Sequence, residues 1–396
     1  MTYTSEVYKN FSGKMKDFVD GENYKKCIQC GVCGGSCPFG MATDFTPRRM
    51  ITAARADVVN DVVMSNGPWL CSSCNICTSR CPSKIPITDA LIPLLRELSL
   101  TYGTPPTELT QTLTNIQRFG NSFGESEKKR IKWVSELETP VKIVKKDEYV
   151  KHLFVPDDFG AYDMRGKEIT KSIVKIFQFL KSDFGIIGEK EKTIGDNVRL
   201  SGELGLYEEI ANSNINYLKN YKFGDVVTID PHAFHALNSQ YKKYSWGRTV
   251  IHHTQFLEQN LEELKTHFHS LNYKVTYHDA CYLGRKNGIF DAPRNVIDAI
   301  PGIKRVEMPR NREDSFCCGG GGGLIWLDSY IKQYLKTRPS EERVKEASAT
   351  GAEIMVTACP IDAIMFEDAI KVTGLEGKLK IKDVSELVWE SLKVGD

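Results

Sequence analysis

The chain has 396 residues, and 52 basic against 51 acidic side chains leave a formal charge of +1, so composition carries no footprint for nucleic acid or for an anionic membrane surface. That length is ample for two domains with sizeable cores. The most apolar stretches, Ile85–Leu100 and Ile173–Leu180, are short or broken by proline and charge, so no direct membrane span is expected and any membrane role falls to a partner.

Twelve cysteines in a chain this long, with no secretory leader read at its start, point to a reducing, cytoplasmic setting rather than a disulfide scaffold. Eight of them form two runs with identical gaps, Cys27-x2-Cys30-x2-Cys33-x3-Cys37-Pro38 and Cys71-x2-Cys74-x2-Cys77-x3-Cys81-Pro82. Two-residue gaps turn successive thiolates into one small cavity, and the closing proline stops the chain from continuing as helix. Zinc sites use four ligands in two pairs, whereas these runs supply eight thiolates, the pattern of two cubane 4Fe-4S clusters. In such paired runs the fourth cysteine ligates the other cluster. Cys27, Cys30, Cys33 and Cys81 are therefore assigned to one, and Cys37, Cys71, Cys74 and Cys77 to the other.

Between the runs, Thr46-Pro47 reads as an N-cap followed by proline at the first helical position, with Ile51, Ala54, Val58 and Val62 at helical spacing. A second helix follows the second run, capped by Thr88 or Asp89, with Leu91, Leu94, Leu95 and Leu98 as its buried stripe. Residues 1–102 thus form a mostly helical module. It resembles the helical ferredoxin module of succinate dehydrogenases and of the small heterodisulfide reductase subunit.

Residues 103–146 read as a linker, opening on Gly103-Thr104-Pro105-Pro106. Its charged stretch Glu125–Lys132 is expected to be a solvated face, while Phe119 and Trp133 are expected to pack.

From residue 147 onward, short β-branched runs alternate with amphipathic patterns, which predicts parallel sheets covered by helices. Strands are expected at Val226–Ile229, Lys274–Tyr277 and Ile354–Thr357. Helices are expected at Ile169–Leu180, Leu206–Asn220, Thr254–Phe268, Pro293–Ala299, Leu327–Leu335 and Ser340–Ala349. An internal repeat aligns Val227-Thr228-Ile229-Asp230-Pro231-His232-Ala233 with Val356-Thr357-Ala358-Cys359-Pro360-Ile361-Asp362, and Thr193-Ile194-Gly195-Asp196 with Cys317-Cys318-Gly319-Gly320. The expected fold class is therefore α+β and multidomain, with the helical two-cluster ferredoxin domain followed by a duplicated α/β region. The first copy covers 147–253 and the second 254–396. Cys281 and Cys359 fall just beyond strand ends, where sites in open α/β sheets gather.

Adjacent Cys317 and Cys318 lead into Gly319–Gly323, and Gly319 and Gly320 let such a loop approach a cluster closely and offer it backbone N–H groups. A phosphate-binding loop would need Gly-Lys-Ser/Thr after the glycines, but Leu324-Ile325-Trp326 stands there. A Cys317–Cys318 disulfide would be strained and would leave Cys281 and Cys359 unexplained.

His278-Asp279-Ala280-Cys281-Tyr282-Leu283-Gly284-Arg285, Cys317-Cys318-Gly319 and Ala358-Cys359-Pro360 resemble the cysteine-rich CCG domain of heterodisulfide reductases. With the ferredoxin module, the whole chain is similar to their D-type catalytic subunit and to the K subunit of the sulfite-reductase-associated complex. The resemblance implies a further four-iron cluster, cubane or noncubane, on Cys281, Cys317, Cys318 and Cys359. Asp362 stands where the motif has its final cysteine, so it is either an iron ligand or a bystander. The first copy has Asp158, Thr193, Ile194, Asp230 and Ala233 at the cysteine positions, so it is expected to be scaffold and lid.

Two functions follow from the resemblance. One is reduction or oxidation of a disulfide, persulfide or trisulfide at a single CCG cluster. The other is electron relay between an electron-transfer flavoprotein or 2-hydroxy-acid oxidase and a quinone or protein partner. Either makes the chain a subunit of a redox complex, with a flavoprotein or membrane quinone-linked subunit beside it. His278 is the candidate proton donor to a leaving thiolate, set against a structural role at the strand end. Arg285 and Lys286 are candidates to hold an anionic thiol or a partner's carboxylate, set against solvated surface. His232 beside Pro231, and the pair His252-His253, read as fold residues; Trp246, Trp326 and Trp389 read as packing groups.

Overall fold

The computed structural model describes residues 11–392, so the outer ends of the expected domains, 1–10 and 393–396, lie outside the described residues. The chain divides into two compact units. The first comprises residues 11–111 with Asn197–Tyr207 and Gly319–Pro339, and the second comprises Thr112–Asp196, Glu208–Cys318 and residues 340–392.

In the first unit, Thr46 precedes a helix over Pro47–Arg55 with proline in its first turn, and the helix buries Met50, Ile51 and Ala54. The expected stripe breaks at Val58, which is 56% exposed. Asp57 takes a left-handed φ of 56° and the helix stops, so a separate turn, Asn60–Val63, buries Val62 instead. The next helix, Ile92–Tyr102, is entered through a wide turn over Ile87–Leu91. Neither Thr88 nor Asp89 caps it: the Thr88 hydroxyl donates to Asn75 Oδ1 at 2.8 Å. Leu91, Leu94, Leu95 and Leu98 are buried as the spacing predicts.

The segment expected as a linker carries a helix, Thr107–Phe119. Trp133 is buried, but Phe119 is 45% exposed. Arg130, in the stretch expected to be a solvated face, is buried between Asp158 at 2.7 Å and Glu191 at 2.8 Å. A cation can leave water there because two carboxylates replace its hydration.

The second unit contains two parallel sheets of four strands. The first has β1 (Tyr149–Val155), β2 (Phe184–Gly185), β3 (Lys222–Thr228) and β4 (Thr249–His252) in the order β2-β1-β3-β4. The second has β5 (Lys274–Tyr277), β6 (Lys304–Val306), β7 (Ile354–Thr357) and β8 (Lys380–Asp383) in the order β6-β5-β7-β8. Identical strand order in both sheets is the three-dimensional form of the sequence repeat. β3 and β7 occupy equivalent inner positions and lead into helices Pro231–Asn238 and Pro360–Thr373, each with proline in its first turn. Asp230 and Cys359 are the equivalent N-caps. The helix expected over Thr254–Phe268 is broken at Asn260 into His253–Gln259 and Leu261–Lys265. The one expected over Leu327–Leu335 shrinks to Asp328–Lys332 behind a tight turn.

The two copies are tied by buried charge. His253, which opens the helix after β4, pairs through Nε2 with Asp383 Oδ1 at 3.0 Å, where Asp383 ends β8. Arg165 of the helix Met164–Phe179 bonds Glu386 and Glu367 of the second copy. Under the first sheet, Phe177 packs against Phe256, Phe184 and Phe154 with ring centroids 4.6, 4.8 and 5.5 Å away. Truncating that fully buried ring leaves a cavity, so Phe177→Ala is expected to destabilise the second unit by about 3–5 kcal/mol. Denaturant titration monitored by tryptophan fluorescence would show a lower midpoint.

Candidate iron-sulfur sites

The two cysteine runs of the first unit fold alike. In each, the residue two after the first cysteine has a left-handed φ, 57° at Gln29 and 50° at Ser73. This turns its N–H back onto sulfur, at 3.4 Å for both Gln29 N to Cys27 Sγ and Ser73 N to Cys71 Sγ. A second left-handed residue, Gly31 or Asn75, then starts a short helical turn carrying the third cysteine. One recess, about 320 Å³ in volume, is lined by Cys27, Cys30, Cys33 and Cys81. The other, about 450 Å³, is lined by Cys37, Cys71, Cys74 and Cys77. Each recess is thus lined by three thiols of one run and the last thiol of the other.

Burial raises the Cys33 thiol above its ordinary range, reinforced by Cys27 and Cys81. It raises Cys77 further, with repulsion from Cys71 and Cys37. Thiols gathered at each recess, with Cys33, Cys74 and Cys77 buried, suit a bound cationic centre, which would deprotonate them, and the N–H groups aimed at the Cys27 and Cys71 sulfurs suit the anionic ligand that results.

In the second unit, Cys281, Cys317, Cys318, Cys359 and Asp362 come from three loops and one helix start, and each is between 1% and 8% exposed. Cys359 is the N-cap residue of the helix Pro360–Thr373, where the nearby N–H groups of Ile361 and Asp362 favour its thiolate without a side-chain cap hydrogen bond. Burial nevertheless keeps that thiol well above its usual range, with the Asp362 charge adding to it. Cys318 is raised first by its hydrogen bond with Cys317, then by burial and by Asp362. Asp362 is pushed up to about 7 by burial, although a hydrogen bond from Cys318 works the other way. Its Oδ2 is buried and has no hydrogen-bond partner among the described residues. Four thiols and a carboxyl group thus share one desolvated place, and the donor set fits an iron centre.

In the first copy the equivalent positions satisfy one another. Asp230 Oδ1 accepts from His232 N at 2.7 Å and Ala233 N at 3.4 Å. Asp158 is held by Arg130 and by Ser122, and Asp157 Oδ1 accepts from Ile194 N at 3.0 Å. The Asp230 carboxylate takes up the N–H groups of its helix start, whereas Cys359 makes no side-chain cap hydrogen bond.

Comparison with known proteins agrees with this geometry. Residues 23–85 match the 4Fe-4S dicluster domain family and residues 275–366 the cysteine-rich CCG domain family. The chain is 33% identical to a probable iron-sulfur-binding oxidoreductase, FadF, of Bacillus subtilis, over 100% of this chain and 64% of that protein. It is 28% identical to an EtfAB:quinone oxidoreductase of Syntrophomonas wolfei, over 96% of this chain and 59% of that protein. It therefore spans about six tenths of the length of these two relatives. Against the D-type subunit of the dihydromethanophenazine:CoB–CoM heterodisulfide reductase of Methanosarcina mazei it is 30% identical, over 81% of this chain and 77% of that protein. The chain belongs to the family of D-type heterodisulfide reductase subunits. It carries a 4Fe-4S dicluster domain followed by a cysteine-rich CCG domain. No helix among the described residues is long and apolar enough to cross a membrane.

In this member of the D-type family, His278 Nδ1 accepts from Arg343 Nε at 3.1 Å, so the ring proton of neutral His278 is on Nε2, which stands 3.6 Å from Asp362 Oδ2. Burial, then the Arg343 charge, holds His278 well below its usual range. Arg285 Nη1 donates to the Ser315 carbonyl at 2.5 Å, which braces the approach to Cys317. Lys286 donates its backbone N–H to the Cys281 carbonyl at 3.1 Å. Gly319 takes a left-handed φ of 85°, and the Gly320 carbonyl accepts from Ile325 N at 2.9 Å.

Two groups escaped the sequence reading. Arg343 looks like one more charge in Pro339–Ala349, yet it is buried and also bonds Ser315 Oγ at 3.2 Å and the Arg310 carbonyl at 2.8 Å. His232 reads as a fold residue, but it accompanies the second copy's site. It stacks on Tyr282 at 3.8 Å between centroids, and its Nδ1 lies 2.9 Å from Asp196 Oδ2. Burial opposes its protonation, but the Asp196 hydrogen bond and charge prevail and raise it. Its place in the repeat, two residues after Asp230, is the only signal the sequence offered.

Asp362 generates a test on iron-free protein. Its carboxyl is raised to about 7 when folded, against about 3.9 unfolded, so folding takes up a proton across that window and stability falls as pH rises from about 4 to 7. Asp362→Asn is expected to remove one proton from that slope, about 1.4 kcal/mol per pH unit. Chemical unfolding at several pH values would measure the difference.

Proposed function

We propose that this chain is the electron-relay subunit of a redox complex. Cys27, Cys30, Cys33 and Cys81 would hold one 4Fe-4S cluster, and Cys37, Cys71, Cys74 and Cys77 a second. Cys281, Cys317, Cys318 and Cys359, with Asp362 as the fifth ligand, would hold a third four-iron cluster. Bound clusters supply one-electron carriers. A reduced flavin in a partner gives up two electrons and two protons, the electrons cross this chain singly, and a quinone or protein acceptor takes up two electrons, with two protons from solvent where it is a quinone.

The observation that carries this reading is the burial of the CCG site. A disulfide, persulfide or trisulfide must touch iron to be cleaved, and all five side chains of the site are at most 8% exposed. In the first copy, the equivalent positions hold Asp158, Thr193, Ile194, Asp230 and Ala233, and the two carboxylates are taken up by hydrogen bonds. Burial, then the Arg343 charge, keeps His278 neutral with its Nδ1 accepting from Arg343, so it carries no charge to a substrate. The relatives support relay as well, since one that aligns with 96% of this chain is an EtfAB:quinone oxidoreductase. The competing reading, two-electron, two-proton reduction of a disulfide to two thiols, is favoured by the match to the D-type heterodisulfide reductase protein over 77% of its length.

Two measurements decide the matter. Anaerobically purified protein is expected to hold about twelve irons per chain, in three four-iron clusters. Asp362→Ala is expected to lose up to about four of them and Asp362→Cys to keep them. Adding thiols or disulfides over a range of poised potentials is expected to leave the paramagnetic signal of the CCG centre unchanged; a perturbed signal would reverse the choice in favour of disulfide chemistry.

A further inference from the structure

We propose that Arg96 is the positioning residue that clamps the glycine loop following Cys318 onto the loop carrying Cys71, and so fixes the electron path through the chain. The inference rests on the three-cluster reading above. Arg96 lies on the helix Ile92–Tyr102 and is 1% exposed. Its Nε donates to the Pro68 carbonyl at 2.8 Å and Nη2 to the Cys71 carbonyl at 2.6 Å. Nη1 donates to the carbonyls of Leu200 and Gly322, each at 2.7 Å. One planar cation, lying over the Trp69 ring at 5.7 Å, therefore joins the second cysteine run, the Leu200 turn and the glycine loop.

The surrounding chain is shaped for this clamp. Gly322 has a φ of 62°, and a Cβ there would stand 2.9 Å from both the Cys71 carbonyl oxygen and Ser73 Oγ. Gly202 has a φ of 90°, and a Cβ there would stand 2.5 Å from Arg96 Cβ. Only glycine lets either segment close on Arg96. Gly322 is four residues beyond Cys318, and four residues of extended chain span at most about 14 Å. A clamp at Gly322 therefore restrains the four-residue segment that leads back to Cys318. Electron tunnelling slows steeply with separation, so a slackened loop slows transfer. The guanidinium also places a buried positive charge on the backbone of a cluster-binding run, which favours the more negative, reduced state of the centre held there.

The experiment uses the full chain with its iron-sulfur centres, rapid mixing with reduced flavodoxin as a protein-sized reductant, freeze-quench paramagnetic spectra and potentiometric titration. Arg96→Met and Gly322→Ala are both expected to keep about twelve irons while the CCG signal lags the ferredoxin signals at least tenfold more than in wild type. Arg96→Met alone is expected to lower the potential of one ferredoxin signal, by a tenfold shift in its one-electron equilibrium or about 59 mV. Arg96→Lys is expected to keep the potential but not the rate. A wild-type lag in both Arg96→Lys and Gly322→Ala overturns the inference, and these two carry the test if Arg96→Met does not accumulate folded. An unchanged rate at about twelve irons sinks Arg96 alone. About eight irons in the wild-type chain would overturn the three-cluster reading and this inference with it.

Discussion

Removing several acidic groups from water in one place is the constraint on which this structure turns. Cys281, Cys317, Cys318, Cys359 and Asp362 are all buried together, and each ionised member would raise the cost of ionising the next. Hydrogen bonding inside the set, such as Cys318 to Asp362, offsets only part of that penalty, and both groups remain above their ordinary ranges. A polycationic centre removes the conflict by turning mutual repulsion into shared ligation. The surrounding cations are placed so that they do not do so in its stead: Arg343 spends its donors on His278, Ser315, Glu346 and a main-chain carbonyl. Arg294 is tied to Asp279 and Glu307.

The first copy shows the same scaffold with that conflict resolved differently. At the helix start after β3, Asp230 accepts two backbone N–H groups where Cys359 offers sulfur after β7. An oxygen at hydrogen-bond distance satisfies those donors well without metal, whereas a thiol does so poorly. Carboxylate in place of sulfur therefore gives a loop that satisfies its own donors while the strand order stays the same. The copy is then available to cover its partner, and His232 does this by stacking on Tyr282, next to Cys281.

Much of this was legible because spacing and local geometry coincide. The gaps in the two cysteine runs are backbone instructions, and the shared left-handed residues at Gln29 and Ser73 show what they instruct. The alignment made Asp230 and Cys359 equivalent, and both stand at the N-cap of a helix with proline in its first turn. Other features depend on partners distant in sequence. β1, β2, β4, β6 and β8 are short or carry charged residues such as Lys151, Arg305 and Lys382, and they become strands because neighbours supply hydrogen bonds. Arg130 sits in a run of charges that periodicity assigns to solvent, and only Asp158 and Glu191 bring it inside. Val58 continued a helical stripe on paper, yet one left-handed residue, Asp57, ended the helix before it.

Arg96 and Arg343 illustrate why buried arginines were the hardest residues to place. Each lies on a helix with ordinary polar spacing, and each is selected by main-chain carbonyls that sequence cannot reveal. A guanidinium presents five donors in a fixed plane, so it can join loops that share no side-chain complementarity. For fixing a loop this is a more exacting device than apolar packing. Packed surfaces slide at little energetic penalty, but a carbonyl deserted by a buried arginine is left desolvated and unsatisfied. Rigidity in the loops beside the sulfur ligands therefore comes from polar clamps, while the apolar cores of the sheets supply the stability those clamps require.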